Sequence, residues 1–575
     1  MTTVARMIVD ALATQGVRQV WGVVGDALNP VTDAIRTDDR IEWIGVRHEE
    51  AGAFAASAQA QLTQDLAVCM GTVGPGAIHL LNGLYDAKKS HAPVLAITGQ
   101  VPLEELGTDF FQEVDNDLLF RDVSVFCRTV TSPDQMPALL EQAVNAAITR
   151  RGVAVLTLPG DVGSKDLPDG VRTPTFVRPP QPQVAPADQV ADAASAIAQA
   201  DKVTLLVGCG ALDARDDVLA LADRLKAPMV LSLKAKPVLE HDNPYQVGQS
   251  GLIGNRAAAK ALHEADLLVM VGTDFPYREF YPKGTPAVQI DVRGEHIGRR
   301  HPIAHPVVGD AGRTVRAILA ALPQKDKRSD KHLRKCVSEY EDWVKDQRSL
   351  IRGPGRTSVV GRVRQVFENP HRRIRPELLA ATVDEYAADD AVFTSDTGMS
   401  TVWLSRFVTM RGTRRMVGSY NLGSMANAMP QALGASALDR SRQVIAFCGD
   451  GGLMMLLGDL RTAVTFNLPV VFVVFDNGRL GMVKLEQEQG GLPEFGTELD
   501  NPDLAAVATS LGLQAERVTE ESELAGAVQR AVASGSPYLL DVVTNPDEVA
   551  VPAQVTLSQG WGFAIAKSKE MLESR

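Results

Sequence analysis

Two polar residues, Asp450 and Asn477, stand where two strongly apolar runs end. The first run, QVIAFC, leads into Gly-Asp-Gly-Gly with Asp450 as its acid, and the second, PVVFVVFD, is followed by Asn477. The two residues are 27 positions apart (477 minus 450), about the length of one βαβ unit. Because crossovers between parallel strands are right-handed, both residues should lie at the carboxyl ends of strands, where open α/β sheets bind ligands.

The residue types at this edge suit a divalent cation and a diphosphate group. A carboxylate and an amide oxygen are hard donors of the kind that Mg²⁺ prefers, and a backbone carbonyl from the turn beyond Asn477 would add a third. The glycines let a ligand approach the backbone closely, and the helix that follows presents free amides to an anion. The pattern therefore predicts a Mg²⁺ and diphosphate site.

A second candidate acid, Glu49, lies far away in the sequence. It stands in Arg-His-Glu-Glu, between the apolar run IEWIGV and an Ala-rich run typical of a buried helix. By residue type alone, such a run is typical of a solvated helix start whose acids interact favourably with the helix dipole. Glu50 is expected to be the solvated or structural neighbour.

Strand-like runs alternate with helical patterns in three blocks, which predicts parallel α/β domains. The predicted domains span residues 1–180, 186–322 and 373–548, and a Pro-rich connector ends the first. Residues 323–372 are charged and irregular and are interpreted as a linker on the surface, and residues 549–575 as a C-terminal tail.

The bulk composition excludes several function classes. The chain has 575 residues and a net charge of −12, so it lacks the basic surface that nucleic-acid binding needs. Its five cysteines show no zinc or redox spacing, which favours a reducing cytoplasm. The N-terminus reads as an amphipathic helix, and no apolar run is long enough to span a bilayer. We expect a soluble cytoplasmic protein.

The Gly-Asp-Gly…Asn spacing resembles the motif of thiamine-diphosphate-dependent enzymes. The resemblance covers nearly the whole chain and is strongest to the quinone-linked pyruvate oxidases. Passages that carry it include WGVVGDALNPVTDAIR, GTVGPGAIHLLNGLYDAKKSHAPVLAITG, DFFQEVDNDLLFRDV, HDNPYQVGQSGLIG and SYNLGSMANAMPQALGA. It implies an α/β fold of three doubly wound parallel-sheet domains, which bind the thiamine pyrimidine ring, FAD, and the diphosphate with Mg²⁺, in chain order.

The resemblance also assigns roles to the thiamine-diphosphate site. The metal ligands are Asp450, Asn477 and the backbone carbonyl of Arg479. Glu49 becomes the acid beside the aminopyrimidine ring, and Met425 the apolar prop that bends the cofactor. The remaining cofactor contacts map to Gly423, Ser424, Ala426, Gly451, Gly452, Gly478, Leu480, Gly481, Met482 and Val483.

The flavin and substrate positions follow from the same resemblance. Asp291, at the end of a predicted strand, suits a ribose or adenine-side acceptor. Phe111, Gln112 and Glu486 line the substrate pocket, while His79 either assists near the thiazolium or is a core histidine with satisfied hydrogen bonds. The other flavin contacts map to Gly251, Leu252, Ile253, Thr273, Asp274, Phe275, Pro276 and Tyr277.

The implied reaction is the oxidative decarboxylation of pyruvate to acetate and CO₂, with electrons passing to FAD and then to a membrane quinone. Family members place the aminopyrimidine acid and the diphosphate domain of one site on different subunits, so a dimer is the smallest active unit and a homotetramer is expected. Apolar residues of the C-terminal tail could form a short stripe that makes peripheral contact with the inner face of the cell membrane. The tail could equally be frayed or docked as a plug over the site.

Two alternatives remain open. The first is acetolactate synthase, which shares the three-domain plan and retains FAD without a net redox role. Its motif has a tryptophan three residues after Gly-Met-Val, where this chain has Glu486. The second is a non-catalytic, flavin-binding regulatory protein, which the intact Asp450, Asn477 and Glu49 oppose.

Overall fold

The computed structural model describes residues 2–177, 182–323, 328–351 and 373–547. These residues form three six-stranded sheets, one in each predicted domain, and neighbouring strands of every sheet pair in parallel. Each sheet carries apolar clusters on both faces, covered by helices. The predicted doubly wound α/β fold is confirmed.

The first domain has the strand order β2-β1-β3-β4-β6-β5. Its strands are β1 Gln19–Gly22, β2 Glu42–Gly45, β3 Ala67–Gly71, β4 Val94–Gln100, β5 Ser124–Thr129 and β6 Val153–Pro159. Its α-helices are Val4–Thr14, Asn29–Arg36, Glu49–Thr63, Pro75–His79, Leu81–Lys89, Asn116–Leu119 and Met136–Arg150.

The third domain repeats this strand order as β14-β13-β15-β16-β18-β17. Its strands are β13 Val392–Ser395, β14 Arg415–Gly418, β15 Val444–Gly449, β16 Val470–Asp476, β17 Gln514–Val518 and β18 Tyr538–Val543. Its α-helices are Pro376–Tyr386, Met399–Phe407, Ala428–Leu438, Asp450–Met455, Leu460–Thr465, Gly481–Gln489, Leu504–Ser510 and Glu521–Ala533.

The middle domain has the order β12-β11-β10-β7-β8-β9, so the chain reverses direction across the sheet between β7 and β10. Ligands of doubly wound sheets bind at such a switch point. Its strands are β7 Val203–Val207, β8 Met229–Leu231, β9 Gln246–Gln249, β10 Leu267–Val271, β11 Ala287–Asp291 and β12 His305–Val308. Its α-helices are Ala187–Gln199, Arg215–Leu225, Lys236–Leu239, Arg256–His263 and Ala311–Ala321.

The first and third domains pack through the Ala-rich helices Glu49–Thr63 and Ala428–Leu438. A Cβ on Gly434 would lie only 2.3 Å from the carbonyl oxygen of Ala55, so the two backbones touch without an intervening side chain. The Gln59 amide donates to the Gly434 carbonyl at 3.3 Å. One apolar cluster runs continuously through both domains.

The prediction of an irregular linker is wrong for residues Lys331–Ile351, which form one long helix. Cys336 on this helix is fully buried against the middle domain, and the other faces of the helix carry charged residues. The helix is amphipathic, and its many charged residues are the reason why the sequence analysis interpreted the segment as irregular. The tail 549–575 and residues 352–372 of the linker lie outside the described residues. Within the described ranges, no helix has the length and apolarity to cross a bilayer.

Candidate active site

A pocket opens at the carboxyl ends of β13, β15 and β16, where the switch point of the third sheet lies. Asp450 begins the helix that follows β15, and Asn477 directly follows β16. Both line the pocket, as the spacing predicted. The strands β15 and β16 pair with each other, and Gly449 lies opposite Phe475. Asp450 and Asn477, which follow these residues, therefore lie at the same edge of the sheet.

The Asp450 carboxylate is buried and fixed in orientation. Its Oδ1 accepts the backbone N–H of Gly451 at 2.8 Å. Its Oδ2 accepts the N–H of Gly478 at 2.7 Å and the side-chain amide of Asn501 at 2.8 Å. Burial, with the nearby charge of Asp476, raises the pKa of Asp450 to about 6. A cation at this carboxylate would favour its ionised form.

Asn477 and Arg479 stand on the turn beyond β16. The Asn477 Oδ1 accepts the backbone N–H of Arg479 at 2.9 Å, and both residues line the pocket. The Arg479 side chain points elsewhere, since its guanidinium donates to Glu494 at 2.6 Å and to Glu498 at 2.9 Å. Since a guanidinium has no lone pair to offer a cation, the backbone carbonyl is the group with which Arg479 could bind a metal.

Asp396, at the end of β13, is a pocket residue that the sequence analysis missed. It is almost fully buried and accepts the N–H of Ala428 at 2.9 Å and that of Gly449 at 3.1 Å. Burial raises its pKa to about 7, and the charge of Asp450 adds to the shift. Asp396 thus ties β13 to the turn that carries Asp450. Its position at a strand end, in Ser-Asp-Thr-Gly, was the available signal.

The glycines around the pocket leave room for a large anionic group. A Cβ on Gly398, Gly423 or Gly449 would meet no atom within 4 Å, so these positions face open space. Gly398 and Gly449 line the pocket. Gly398, with φ of 132°, adopts a backbone conformation that other residues rarely allow. The open space at these glycines fits a diphosphate, and the oxygen atoms of Asp450 and Asn477 beside it fit Mg²⁺.

The predicted cofactor-bending residue also reaches this pocket. Met425 lines it, and its Cε would lie 3.5 Å from a Cβ on Gly451. Ala426, with φ of 62°, marks a sharp turn immediately before the helix that packs on the first domain. The other assigned residues that line the pocket are Gly451, Gly452, Leu480, Gly481, Met482 and Val483. Gly452 has no space for a Cβ, which would lie 2.4 Å from Asp396.

Glu49 lies in the first domain with two histidines. It begins the helix Glu49–Thr63 and is 7% exposed, and its Oε2 is 2.9 Å from Nδ1 of His79. The rings of His48 and His79 stack at a centroid distance of 4.4 Å. The three side chains are close enough to bind a metal ion together. His79 is thus a direct partner of Glu49, and His48 was missed.

Phe111 and Gln112 lie on a loop beside this group. Gln112 has φ of 67°, and its backbone carbonyl would be 2.8 Å from a Cβ on Gly74, which precedes the helix carrying His79. Phe111 is 77% exposed. The structure therefore brings Glu49, His79, Phe111 and Gln112 together in the first domain.

Within one chain, the two halves of the predicted site do not meet. The residues that line the Asp450 pocket within the described ranges come from the third domain, and Glu49 is not among them. The two regions touch elsewhere. The Ser424 hydroxyl accepts the Asn82 amide at 2.9 Å, and the same amide donates to Glu50 at 2.7 Å. Asp459 of the third domain accepts the backbone N–H groups of Arg47 and His48 at 2.8 and 3.2 Å.

The positions assigned to flavin gather at the carboxyl edge of the middle sheet. A Cβ on Gly251 would touch the rings of Phe275 and Tyr277 at 3.1 and 3.4 Å. Asp291 ends β11, where its Oδ1 accepts the N–H of Arg293 at 2.9 Å. Ile253 is an exception, because it packs against the core of the third domain. The other positions are Leu252, which is exposed, and Thr273, Asp274 and Pro276, which follow β10.

Gly208 and Gly210 form a second feature that the sequence analysis missed. They follow β7 at the switch point, where a Cβ on Gly208 would lie 2.3 Å from the Gly272 carbonyl. Gly210 donates its N–H to the same carbonyl at 2.9 Å. A Gly-x-G turn after the first strand of such a sheet is typical of a dinucleotide site. Its position after VTLLV was the available signal.

Glu486 lies on the third domain and faces solvent near the middle domain. It is exposed on the helix Gly481–Gln489, whose first turn lines the Asp450 pocket. Burial raises the pKa of Tyr277, and the charges of Glu279 and Glu486 add to that shift. The charge of Glu486 therefore acts across the boundary between the third and middle domains, on a loop assigned to flavin.

Comparison with known proteins agrees with this division into domains. Residues 2–119, 190–318 and 396–542 match, respectively, the N-terminal TPP binding domain, the central domain and the C-terminal TPP binding domain of thiamine pyrophosphate enzymes. YdaP of Bacillus subtilis, named as a thiamine pyrophosphate-containing protein, is 36% identical over the whole chain and 97% of its own length.

Two further groups of relatives are named for an enzymatic activity. Pyruvate oxidase of Lactiplantibacillus plantarum is 30% identical over 95% of this chain and 89% of its own length. The acetolactate synthase large subunit of Corynebacterium glutamicum is 31% identical over 96% of this chain and 88% of its own length.

Proposed function

This chain belongs to the thiamine pyrophosphate enzymes, and on that premise we propose that it oxidises pyruvate to acetate and CO₂ with a quinone as final electron acceptor. Pyruvate, water and quinone are consumed, and acetate, CO₂ and quinol are formed. The two electrons of this oxidation end on the quinone with two protons, and bound FAD would carry them.

Bound thiamine diphosphate supplies the carbon that accepts the electron pair when CO₂ leaves, and bound FAD supplies the two-electron acceptor. Asp450, Asn477 and the Arg479 carbonyl would hold the Mg²⁺ that anchors the diphosphate. The open space at Gly398 and Gly449 would leave room for the diphosphate. Burial of this edge excludes water and strengthens each of these interactions.

Around the reacting carbon, the chain's own side chains bind the substrate and move protons. Glu49 holds a proton beside the aminopyrimidine ring, and His79, 2.9 Å away, can share it. Gln112 donates its amide to the substrate carboxylate, and Glu486 exchanges a proton with the substrate carbonyl. Phe111 shields the pocket from water.

The separation of Glu49 from the Asp450 pocket supports an active site shared by two copies of the chain. In this proposal, Glu49 and Phe111 of one protomer cover the Asp450 pocket of its partner, and a homotetramer is built from two such dimers. The high exposure of Phe111 supports this arrangement, as does Phe495, which is 85% exposed in the third domain.

Glu486 is the observation that carries the choice of an oxidase. Its charge acts on Tyr277 of the flavin loop, where it adds to the rise that burial causes in the pKa of that phenol, so an acid that exchanges substrate protons would face the side of the electron acceptor. Acetolactate synthases resemble this chain as closely over a similar length, which makes carboligation the second candidate. Their motif has tryptophan at this position, which a larger second substrate requires.

The test is an anaerobic reaction of the full-length protein with Mg²⁺, thiamine diphosphate, FAD and pyruvate. We expect bleaching of the flavin absorbance, reoxidation on addition of a quinone, and acetate as the carbon product. Acetolactate without bleaching would establish the synthase. Failure of thiamine diphosphate to bind in calorimetry would instead favour a non-catalytic protein.

We include a membrane quinone and a peripheral site at the inner face of the cell membrane in this proposal. Its support is the apolar stripe of Trp561, Phe563, Ile565 and Met571 beside Lys567 and Lys569, which lies outside the described residues. Flotation with liposomes of anionic lipid, with and without pyruvate, tests it. Equal flotation of a variant that lacks residues 549–575 would remove the membrane part alone.

A further inference from the structure

A line of hydrogen-bonded polar side chains leads from Asp450 to the edge of the third sheet. The side-chain amide of Asn501 donates to Oδ2 of Asp450 at 2.8 Å and to Oδ1 of Asp476 at 2.9 Å. The Arg517 guanidinium donates to Oδ2 of Asp476 at 3.0 Å and, through its other terminal nitrogen, to Oδ2 of Asp541. We call Asn501, Asp476, Arg517 and Asp541 the supporting chain.

The strand order explains how Arg517 reaches Asp476. β18 lies between β16 and the edge strand β17, and Arg517 of β17 lies directly opposite Asp541 of β18. Asp476 ends β16 opposite Val543, two residues beyond Asp541. Residues opposite each other, and residues two apart on one strand, share a face of the sheet, so the three charged side chains lie on the same face.

Arg517 compensates charges that the fold buries. Asp476 and Asp541 are 5% and 0% exposed. Among the ion pairs of the described residues, Arg517 is the only cation that contacts either acid, and none contacts Asp450. Burial, with the charge of Asp476, raises the pKa of Asp541 to about 7, and Arg517 opposes this rise. Removing a carboxylate from water is costly unless a partner compensates it, so Arg517 holds both acids in place.

The hydrogen bonds of Asp450 determine which of its oxygens can bind a cation. Oδ2 accepts two hydrogen bonds, from Gly478 and Asn501, whereas Oδ1 accepts one, from Gly451. Each carboxylate oxygen has two lone pairs, so Oδ1 keeps one for a metal ion and Oδ2 keeps none. Asn501 uses both of its amide hydrogens on the two acids, and Asp476 therefore fixes the side chain that occupies Oδ2.

We propose that Asn501 and Arg517 are positioning residues for the metal ligand Asp450. Arg517 fixes Asp476, Asp476 fixes the Asn501 amide, and that amide occupies Oδ2 of Asp450 and leaves Oδ1 for the metal. Neither Asn501 nor Arg517 lines the pocket, so both act through Asp450. The inference rests on the proposed site for Mg²⁺ and thiamine diphosphate and deepens it, because it makes metal affinity depend on an arginine at the edge of the sheet.

The experiment compares Asn501→Ala, Arg517→Gln and Arg530→Gln in the full-length protein freed of metal. Mg²⁺ is titrated at a fixed concentration of thiamine diphosphate, and binding is followed by quenching of tryptophan fluorescence, to which Trp403 of the pocket contributes. We expect the half-saturating Mg²⁺ concentration to rise about 10–100-fold in Asn501→Ala and about tenfold in Arg517→Gln. Arg530 pairs with Glu516 of the same edge strand, so Arg530→Gln is the matched control and should stay within about twofold of the wild type.

A double variant separates positioning from a purely structural role. Because Arg517 acts through Asn501, adding Arg517→Gln to Asn501→Ala should change the half-saturating Mg²⁺ concentration by no more than about twofold. An arginine that only stabilised the sheet would lower resistance to urea in the metal-free protein and would have the same effect on Mg²⁺ binding in both backgrounds.

Three results would overturn the inference. These are an unchanged half-saturating Mg²⁺ concentration in Asn501→Ala, independent effects of the two substitutions in the double variant, and an equal rise in Arg530→Gln. If Arg517→Gln does not fold, Arg517→Lys takes its place, since lysine keeps the charge but offers one ammonium group to two carboxylates. A protein that binds Mg²⁺ and thiamine diphosphate as expected but does not bleach its flavin with pyruvate would contradict the proposed function alone.

Discussion

Asp450 keeps three hydrogen bonds while it lies buried at the edge of the third sheet. Backbone amides orient both of its oxygens, and Asp396 fixes the preceding turn through Gly449. The cost of burying the two carboxylates is reflected in their raised pKa values. Such a cost is typical of a site whose ligand supplies the missing charge.

Asp450→Asn should weaken binding of thiamine diphosphate with Mg²⁺ by at least about 100-fold, since even second-layer partners of a metal cost 10–100-fold. Isothermal titration calorimetry measures this affinity. Asp390→Asn, an exposed acid in the same domain, is the matched control and should bind like the wild type. Equal affinities of the two variants would remove Asp450 from the metal site.

Glu49→Gln should lower the rate of pyruvate-dependent flavin bleaching by about 10²–10⁴-fold, because it removes a proton-transferring group. Thiamine diphosphate should still bind, which calorimetry can verify. Glu50→Gln is the control, as Glu50 accepts a hydrogen bond from Asn82 on the neighbouring helix. A similar loss in both variants would indicate a structural role for Glu49.

His91 makes the flavin-free protein sensitive to acid. Burial, with Arg293, Lys234, His296 and Arg151, lowers its pKa to about 3, whereas the unfolded value is about 6.5. The neutral His91 side chain therefore contributes fully to stability above pH 6.5, and this contribution is lost as the pH falls towards 3. When the pH is lowered from 7 to 5, the free energy of unfolding of the wild type should fall by up to about 2 kcal/mol more than that of the His91→Asn variant.

Urea unfolding of both proteins at the two pH values measures this difference. Asparagine suits the position because residue 91 has φ of 54°, a conformation that Asn tolerates. Parallel losses in the wild type and the variant would show that other groups govern the acid response.

At the scale of elements, close helix contacts make two glycines respond oppositely to alanine. Gly434→Ala should destabilise the protein by about 1–3 kcal/mol, because its Cβ would overlap the backbone of Ala55. Gly526→Ala should stabilise it by up to about 1 kcal/mol, since the nearest atom is the mobile end of Arg530 and the residue lies within a helix. Thermal unfolding of both variants tests this pair, and shifts of the same sign would contradict it.

Strands inside the sheets were predictable from sequence, whereas most edge strands were not. The runs VAVLTLP and PVVFVVFD are continuous and apolar because both faces of their strands are covered. Five strands have no comparable apolar run, because their residues mix polar and apolar types as edge strands do: β5, β9, β12, β14 and β17. The helix Lys331–Ile351 was missed because its buried stripe is narrow.

The site shows the same contrast. Asp450 and Asn477 follow unmistakable strands at a fixed spacing, so their meeting could be predicted. Asp396, Asn501 and Gly208 act through partners distant in sequence, and only the fold brings those partners together. Roles of the flavin-loop residues came from family resemblance, and they stay predictions.

At the scale of the whole molecule, a shared active site predicts complementation between inactive variants. In a mixed dimer of Glu49→Gln and Asp450→Asn, one site carries both substitutions and the other carries neither. Co-expressed variants should therefore recover about a quarter of the wild-type bleaching rate per chain, because half of random dimers are mixed and each has one intact site. Each variant alone should stay inactive, and no recovery in the mixture would place the complete site within one protomer.

The contact between Gly434 and Ala55 has a consequence for turnover. Two backbones that touch cannot slide or tilt past each other without breaking the Gln59 hydrogen bond and the apolar cluster around it. The first and third domains must then move as one block. Entry of pyruvate and escape of acetate must depend on small excursions of surface segments, and the loop carrying the exposed Phe111 is a candidate gate.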